Sequence, residues 1–554
     1  MKLRALFKRR ESKYTVRQIS GWLWRAWRGN QLQAVLNATL GLLGVAVSLS
    51  QVRAVQHAID VASHTVDGTL PWAVGIIGLL ILANFAISIS SIWVKNILGI
   101  RAQNRMQQRM LDRILRSQWH GRERMHSGDV INRLEKDVGE VISFLTETIP
   151  STISTLGLFL GAFFYLFSMD KTLPIIIVCL LPIFIFLSKF YMRRMRTLTR
   201  KVRDSDSRVQ SVLQETIQNR MLIKTLESDS FMVDRLENTQ SELRQNVVKR
   251  TAFSVISNLI LNFGFALGYL IAFLWSATRM YNHTLTFGGM TAFLQLVNKI
   301  EGPARGLTKL VPAFVGVLTA AERLMELEEN PLEEQGDPIE LHSPCGVRLE
   351  NISYGYEDDL VLNGLSFDFA PGTCTAILGE TGAGKTTLIR IILALLSPQS
   401  GRAVIYNKKT VREISPRLRC NFVYVPQGNT LMSGSIRDNL RLGNLSATDA
   451  DMMEALHTAC ADFVATLPQG LDTSCSEQGG GLSEGQAQRI AIARALLRDR
   501  AIMLFDEATS ALDPETEKQL LQNILASHNR TVIFITHRPA VVDYCDQTLR
   551  IEKL

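Results

Sequence analysis

The sequence predicts an all-α membrane part of six transmembrane helices followed by one α/β domain. Three observations carry this. Long charge-free apolar stretches, separated by basic loops, fill the chain up to about residue 325. They end there, and beyond about residue 345 the composition is that of an ordinary α/β domain. In that second half a glycine-rich loop stands between a short β-rich run and a helix-forming run. With 554 residues the chain is too long for a single compact domain. The expected boundaries are residues 1–325 for the membrane part with its long loops, 326–346 for a linker rich in acids and proline, and 347–554 for the α/β domain.

A helix needs about 20 apolar residues to cross the hydrocarbon core. Gly29 to Gln51, Leu70 to Val94, Thr148 to Met169, Thr172 to Ser188 and Thr251 to Thr278 carry no charge. Only Asp170 and Lys171 separate the third from the fourth. The sixth stretch is weaker. Thr284 to Asn298 is charge-free, Lys299, Glu301 and Arg305 interrupt it, and Val311 to Ala321 resumes the apolar pattern. One long sixth helix that leaves the membrane and continues into the cytosol fits that pattern.

Loop charges set the orientation, because cytosolic loops accumulate Lys and Arg. Before the first span stand Lys2, Arg4, Lys8, Arg9, Arg10, Lys13, Arg17, Arg25 and Arg28. The loop between spans two and three holds Arg101, Arg105, Arg109, Arg113, Arg116, Arg122, Arg124 and Arg133 among others, and the loop between spans four and five is richer still. The loops after spans one, three and five offer only Arg53, Lys171 and Arg279. Both termini are therefore expected in the cytosol, with short external loops. The formal net charge of +8 would suit a nucleic acid, but its crowding beside apolar stretches is explained by the bilayer surface, so the lipid bilayer and not nucleic acid is the expected partner. No short apolar segment with a cleavage site follows the basic N-terminus, so no removed signal peptide is expected. The seven cysteines lack metal-ligand spacing and read as reduced and structural.

The apolar β-rich run Thr373 to Leu378 leads into Gly379-Glu380-Thr381-Gly382-Ala383-Gly384-Lys385-Thr386, then Thr387 and the apolar run Leu388 to Leu396. Strand, loop and helix in that order form the context a phosphate-binding loop requires. The glycines let backbone N–H groups close around phosphates, and the helix N-terminus adds partial positive charge. Lys385 can reach the β- and γ-phosphates, and the Thr386 hydroxyl can ligate Mg²⁺. A second buried strand, Ala501 to Phe505, ends in Asp506-Glu507. At a strand tip beside such a loop, Asp506 can hold Mg²⁺ through water and Glu507 can polarise an attacking water. A third strand, Thr531 to Thr536, ends in His537, placed for a γ-phosphate contact. Gln427, after the strand Phe422 to Val425, can ligate Mg²⁺ and sense the nucleotide. Gly481-Leu482-Ser483-Glu484-Gly485-Gln486 precedes a helical stretch, where serine reads as an N-cap and the helix start as an anion site.

In this order, with Ser510-Ala511-Leu512-Asp513 between Glu507 and His537, these residues resemble the ATP-binding cassette exporters, in the half-transporter form. The resemblance covers the whole chain. It implies an α/β P-loop (RecA-like) nucleotide-binding domain with a helical subdomain near residues 430–500. It also implies ATP and Mg²⁺ as cofactors, catalytic roles for Glu507 and His537, and a second half-transporter subunit, identical or different. Tyr356 resembles the aromatic that stacks on adenine. Ser483, Gly485 and Gln486 resemble the signature segment that meets ATP held by the partner, and Ser510 to Asp513 the loop that couples the two sites. Gly128 to Leu134 and Ile223 to Leu226 resemble loops that dock on the ATPase domains.

Two departures stand out. Glu484 occupies the place of the usual signature glycine, putting a carboxylate near a phosphate, although the first helical turn suits it. The chain also stops at Leu554 after a strand-like run, so the usual C-terminal helical tail is expected to be absent. The implied activity is ATP-driven export of a hydrophobic, amphipathic or peptide-like substrate across the cytoplasmic membrane. Lipid flipping and ATP gating of a channel or regulator are the alternatives. Lys299 lies about 22 Å along the sixth helix counted from Thr284, past the midplane of a roughly 30 Å layer. Ionisable groups at such depth face a bundle interior or an aqueous cavity: Glu301 and Arg305, at i and i+4, can form an internal salt bridge, or Lys299 projects into an inward-open cavity suited to a cargo with an anionic or polar group.

Overall fold

The computed structural model describes residues 13–29, 31–119, 127–307, 310–342, 344–356, 359–475, 481–526 and 530–553. Side chains are not described at 127, 173–190, 192, 193, 196, 261, 265, 301, 303–307, 311 and 312. The basic residues Lys2, Arg4, Lys8, Arg9, Arg10, Arg122 and Arg124, and the side chains of Cys179, Glu301 and Arg305, therefore lie outside the described set. The chain divides into two compact units, Met1–Leu111 with Gly128–Leu327, and Asp112–Ser127 with Glu328–Leu554.

The first unit is helical. Four of its helices are long and apolar enough to cross a membrane among the described residues: Gln31–Ala62, Leu70–Leu115, Gly128–Met169 and Asp229–Tyr281. The fourth and sixth apolar runs fall on the helices Thr172–Gln218 and Phe287–Leu307, and a further helix, Leu310–Glu329, follows. The helices outrun their apolar cores. Arg53 and Arg279, read from sequence as loop residues, sit on the helices Gln31–Ala62 and Asp229–Tyr281. The reason is local: once the backbone is helical, continuing it costs little per residue, and a polar turn outside the hydrocarbon meets no penalty. Between spans three and four, buried Asp170 closes the connection. It accepts from the Thr172 N–H at 2.7 Å and the Trp275 indole at 3.2 Å, and pairs with Arg279 at 2.9 Å. Between spans, Arg133 is fixed by Asp129 at 2.9 Å and Glu326 at 2.8 Å.

Among its described residues the second unit holds three sheets. The strands β1 (Gly346–Tyr356), β2 (Asp359–Phe369), β4 (Ser400–Tyr406) and β5 (Val411–Glu413) make an antiparallel sheet in the order β2-β1-β4-β5. The strands β3 (Cys374–Gly379), β6 (Phe422–Val425), β9 (Ile502–Asp506), β10 (Thr531–Ile535) and β11 (Gln547–Ile551) make a parallel sheet in the order β11-β3-β10-β9-β6. The short pair β7 (Gly434–Ser435) and β8 (Ser474–Cys475) belongs to a mainly helical segment that runs to Arg498. Strands β9 and β10 are buried at every residue, as parallel strands covered on both faces require. Phe505 and Phe534 stack between them with centroids 4.9 Å apart. The six described cysteines are free. Cys374 Sγ lies 2.9 Å from Cys545 Sγ, and that hydrogen bond, then burial, pushes the Cys374 thiol up.

Candidate nucleotide site

The register of the parallel sheet gathers the site. Ile377 pairs with Ile535, Ile535 with Asp506, and Phe505 with Val425. The C-terminal ends of β3, β10, β9 and β6 therefore share one edge, where ligands of α/β sheets bind. The segments that follow those ends carry the phosphate loop, His537, Glu507 and Gln427.

The loop from Gly379 to Gly384 turns through two left-handed glycines, Gly382 at φ +86° and Gly384 at φ +97°. A side chain at Gly384 would be strained and would meet Val361 Cγ1 at 2.9 Å, so only glycine fits. Glu380 and Thr381 are exposed, whereas Ala383 and Gly384 are buried. The helix Lys385–Ile392 starts at once, presenting its unpaired N–H groups toward the loop. Thr386 is exposed on its first turn and Thr387 is buried. Lys385 is buried, and its Nζ donates to the carbonyls of Gly379 at 2.5 Å and Glu380 at 3.3 Å. Burial lowers its pKa, and Glu507 and Asp506 oppose that shift.

The acidic pair is split by environment. Asp506 is buried, and its carboxyl is pushed up chiefly by that burial, with the Tyr424 hydroxyl donating to Oδ2 at 3.2 Å in opposition. Glu507 is more open and accepts from the Gln427 amide at 2.8 Å. Its backbone stands in the left-handed region at φ +48°. That conformation costs a non-glycine residue about 1–3 kcal/mol and persists where surrounding bonds over-determine it. The Glu507 N–H donates to the Ile535 carbonyl at 3.0 Å, and the Ser510 N–H donates to the Glu507 carbonyl at 3.1 Å. His537 Nε2 lies 3.0 Å from both Glu507 Oε1 and Lys385 Nζ. One ring nitrogen can donate to the carboxylate or accept from the ammonium, not both, so its tautomer selects between them.

The signature residues stand apart. Ser483 caps the helix Glu484–Arg498: its hydroxyl accepts from the Gln486 N–H at 3.2 Å, while the Gln486 side chain accepts from the Ser483 N–H at 2.9 Å. Gly485 passes so close to the next segment that a side chain there would meet the Ala511 carbonyl at 2.7 Å. None of the described polar contacts joins Ser483, Gly485 or Gln486 to Lys385, Thr386 or Glu507. Tyr356 ends β1, with its hydroxyl 3.3 Å from Thr387 Oγ1 and its ring edge-on to Tyr354.

Four residues of this neighbourhood have no motif to announce them. Tyr424 holds Asp506. Buried Gln488 accepts from the Ala511 N–H at 3.2 Å, tying the signature helix to the segment after Glu507. Arg538 donates to the carbonyls of Ser510 at 2.7 Å and Leu512 at 3.1 Å, and pairs with Glu517 at 2.9 Å. Arg390 donates to the Tyr356 hydroxyl at 3.2 Å. For Arg538 a signal existed, since it directly follows His537 at a strand tip.

A helical membrane unit and a phosphate-loop ATPase unit with a capped signature helix, in one chain, define a half-transporter of the ATP-binding cassette class. Residues 34–303 match the ABC transporter transmembrane region, and residues 362–510 match the ABC transporter family. The chain belongs to the ABC transporters, and its C-terminal domain is an ATP-binding ATPase coupled to transport. It is 31% identical over 363 residues to the mitochondrial iron-sulfur clusters transporter ATM1 of Kluyveromyces lactis, an alignment that covers 64% of this chain and 50% of that protein. It is 28% identical over 493 residues to the ATP-dependent lipid A-core flippase of Thiobacillus denitrificans, covering 86% of this chain and 83% of that one. The chain thus spans half the length of the first relative and most of the second. A solved structure of a bacterial Atm1-family ABC exporter with ATP bound has the same fold, with a TM-score of 0.79, 23% identity and 94% of each chain covered.

Proposed function

We propose that this chain pairs with a second half-transporter, identical or similar, to form an ATP-driven exporter of the cytoplasmic membrane with both termini in the cytosol. One observation carries the reading. The phosphate loop, Asp506, Glu507, Gln427 and His537 share one sheet edge, while Ser483 to Gln486 cap a separate helix that makes no described polar contact with them. Each motif occurs once per chain, so a second chain completes the site. The boundaries 1–325, 326–346 and 347–554 remain the proposed division of labour. The segment Asp112–Ser127, just ahead of Gly128, clusters with the ATPase unit and supports a docking role for that loop region. Exposed Leu222 and Leu226, at the short helix Arg220–Thr225, offer a second docking face. Reconstitution in nanodiscs of one or two chains tests the pairing: hydrolysis confined to two-chain discs is expected, and full-rate hydrolysis by one chain would sink it.

The residues present fit Mg²⁺ bound together with ATP. The Thr386 hydroxyl, the Asp506 carboxylate and the Gln427 amide offer oxygen donors, as a hard cation prefers, and too few to hold it without phosphate oxygens. Among the described residues no cluster of three or more His, Cys, Asp or Glu forms a metal cage by itself. Bound there, Mg²⁺ would neutralise charge on the β- and γ-phosphates. Lys385 holds the phosphates, Glu507 polarises the attacking water, and His537 positions the γ-phosphate. Tyr356 supplies the adenine platform, and Ser483, Gly485 and Gln486 close the site from the partner chain.

A lipid or other anionic amphipath is the cargo best supported. The flippase relative aligns along most of its length, and Lys299 stands within the membrane unit. Its half-buried ammonium donates to the Ser48 hydroxyl on the helix Gln31–Ala62. Among the described residues no carboxylate pairs with that ammonium. An ionisable group at such depth is retained where it meets a ligand or a cavity. In phosphatidylcholine nanodiscs, dodecyl phosphate should stimulate hydrolysis more than dodecyltrimethylammonium does. Lys299→Ala should erase that preference. An unchanged preference in the variant removes Lys299 from cargo recognition.

A further inference from the structure

The segment Asp112–Ser127 leaves the membrane unit and becomes part of the ATPase unit. It is held there by the backbone. The Gln118 N–H donates to the Pro331 carbonyl at 2.8 Å, and the Glu333 N–H donates to the Arg116 carbonyl at 2.9 Å. Glu333 then grips Arg419 with both oxygens, at 2.9 and 3.0 Å. Arg419 in turn donates to the carbonyls of Leu393 at 2.9 Å and Ala394 at 2.8 Å, which follow the phosphate-loop helix. A second tie reaches the same helix. The Arg390 guanidinium, in its last turn, lies over the Trp119 ring with its central carbon 4.5 Å from the centroid. Arg390 also donates to the Tyr356 hydroxyl, which meets Thr387 at the start of that helix. Trp119, Arg390, Tyr356 and Thr387 thus form a continuous row of contacts.

We propose that Trp119 is a positioning residue for the nucleotide base: by pinning Arg390 it sets the Tyr356 ring and so the affinity for ATP. This rests on the reading of Tyr356 as the adenine platform. The physical reason is geometric. A guanidinium has a rigid planar fork, so a flat aromatic face on one side fixes the direction of the N–H groups on its edge. Arg390 without Trp119 keeps its charge but loses that fixed direction. Tyr356 then loses a donor at the hydroxyl end of the ring that bears the base. Through this row of contacts the loop acts on the Tyr356 ring, so its effect is expected on KM for ATP more than on kcat.

The test is steady-state hydrolysis by the full chain in nanodiscs, with ATP and GTP compared. Trp119→Ala should raise KM for ATP by about five-fold, the size of one lost cation–aromatic contact, with kcat changed less than KM. It should also narrow the difference between ATP and GTP. Trp119→Phe, which keeps an aromatic face, should recover most of the affinity. Arg390→Gln should raise KM similarly, and the double variant should add little, as expected for two residues acting through one contact. Tyr356→Ala separates the two readings. If it leaves KM for ATP unchanged, the adenine platform itself is wrong. If it raises KM while Trp119→Ala does not, the platform stands and the role of Trp119 is overturned. A Trp119→Ala variant that loses kcat and melting temperature together, at unchanged KM, also overturns it.

Discussion

Glu507→Gln should still bind ATP while turnover falls by about 10²- to 10⁴-fold, the usual size of a lost general-base contribution. The substitution keeps side-chain length and hydrogen-bonding capacity beside Gln427 and His537. It removes the charge that polarises water. The backbone at φ +48° is fixed by the Ile535 carbonyl and the Ser510 N–H, neither of which involves the side chain. The loop should therefore keep its shape, and the loss should fall on kcat alone. His537→Ala should be milder or comparable, because it removes a positioning contact and leaves the carboxylate. Nucleotide retained on the purified variant, together with its hydrolysis rate, checks both points. Undiminished turnover in Glu507→Gln moves the base elsewhere.

Mixed dimers should recover activity that each variant alone lacks. Lys385→Ala empties the phosphate loop of its cation, and Ser483→Arg blocks the signature helix start. In a dimer of one variant, every site carries one lesion and hydrolysis is lost. In a mixed dimer whose sites form between chains, one site carries both lesions and the other carries none. Such a dimer should run at up to half the wild-type rate, as two equivalent sites across a two-fold axis require. If each chain formed its own site, the mixture would be as inactive as its components. Tagging the two chains differently and purifying through both tags isolates the mixed species for assay.

Much of this was legible in the sequence because the chemistry is carried by short contiguous stretches. Gly379 to Thr386, between the β-rich run Thr373 to Leu378 and the apolar run Leu388 to Leu396, reads as a phosphate loop from contiguous residues alone, and Ser483 ahead of a helical stretch reads as an N-cap. Apolar length announced the spans for a similar reason, since the bilayer fixes how long they are. What was not legible depends on pairing between distant segments. The order β11-β3-β10-β9-β6 sets Tyr424 beside Asp506, and nothing in the strand Phe422–Val425 marks its tyrosine for that place. Gln488 reads as one more polar residue on a helix until Ala511 is seen to approach Gly485. Trp119 reads as a loop residue until the segment around it pairs with Pro331 and Glu333. Helix ends escape the sequence for a different reason. Charge marks the edge of the hydrocarbon and not the end of the hydrogen-bonded backbone, so Arg53 and Arg279 read as loop residues while lying on helices.

The most direct test of ATP-driven export works whatever the cargo is. Sealed inside-out vesicles carrying either the wild-type chain or Glu507→Gln are loaded from outside with a lipid and metabolite extract of the native host cells, with ATP and a regenerating system. Mass spectrometry then compares what accumulates in the lumen and in the lumenal leaflet. An exporter concentrates at least one species, against its gradient, in the wild-type vesicles alone. If the wild-type vesicles hydrolyse ATP and yet hold the same contents as the Glu507→Gln vesicles, the chain moves nothing uphill, and ATP gates it instead of driving it.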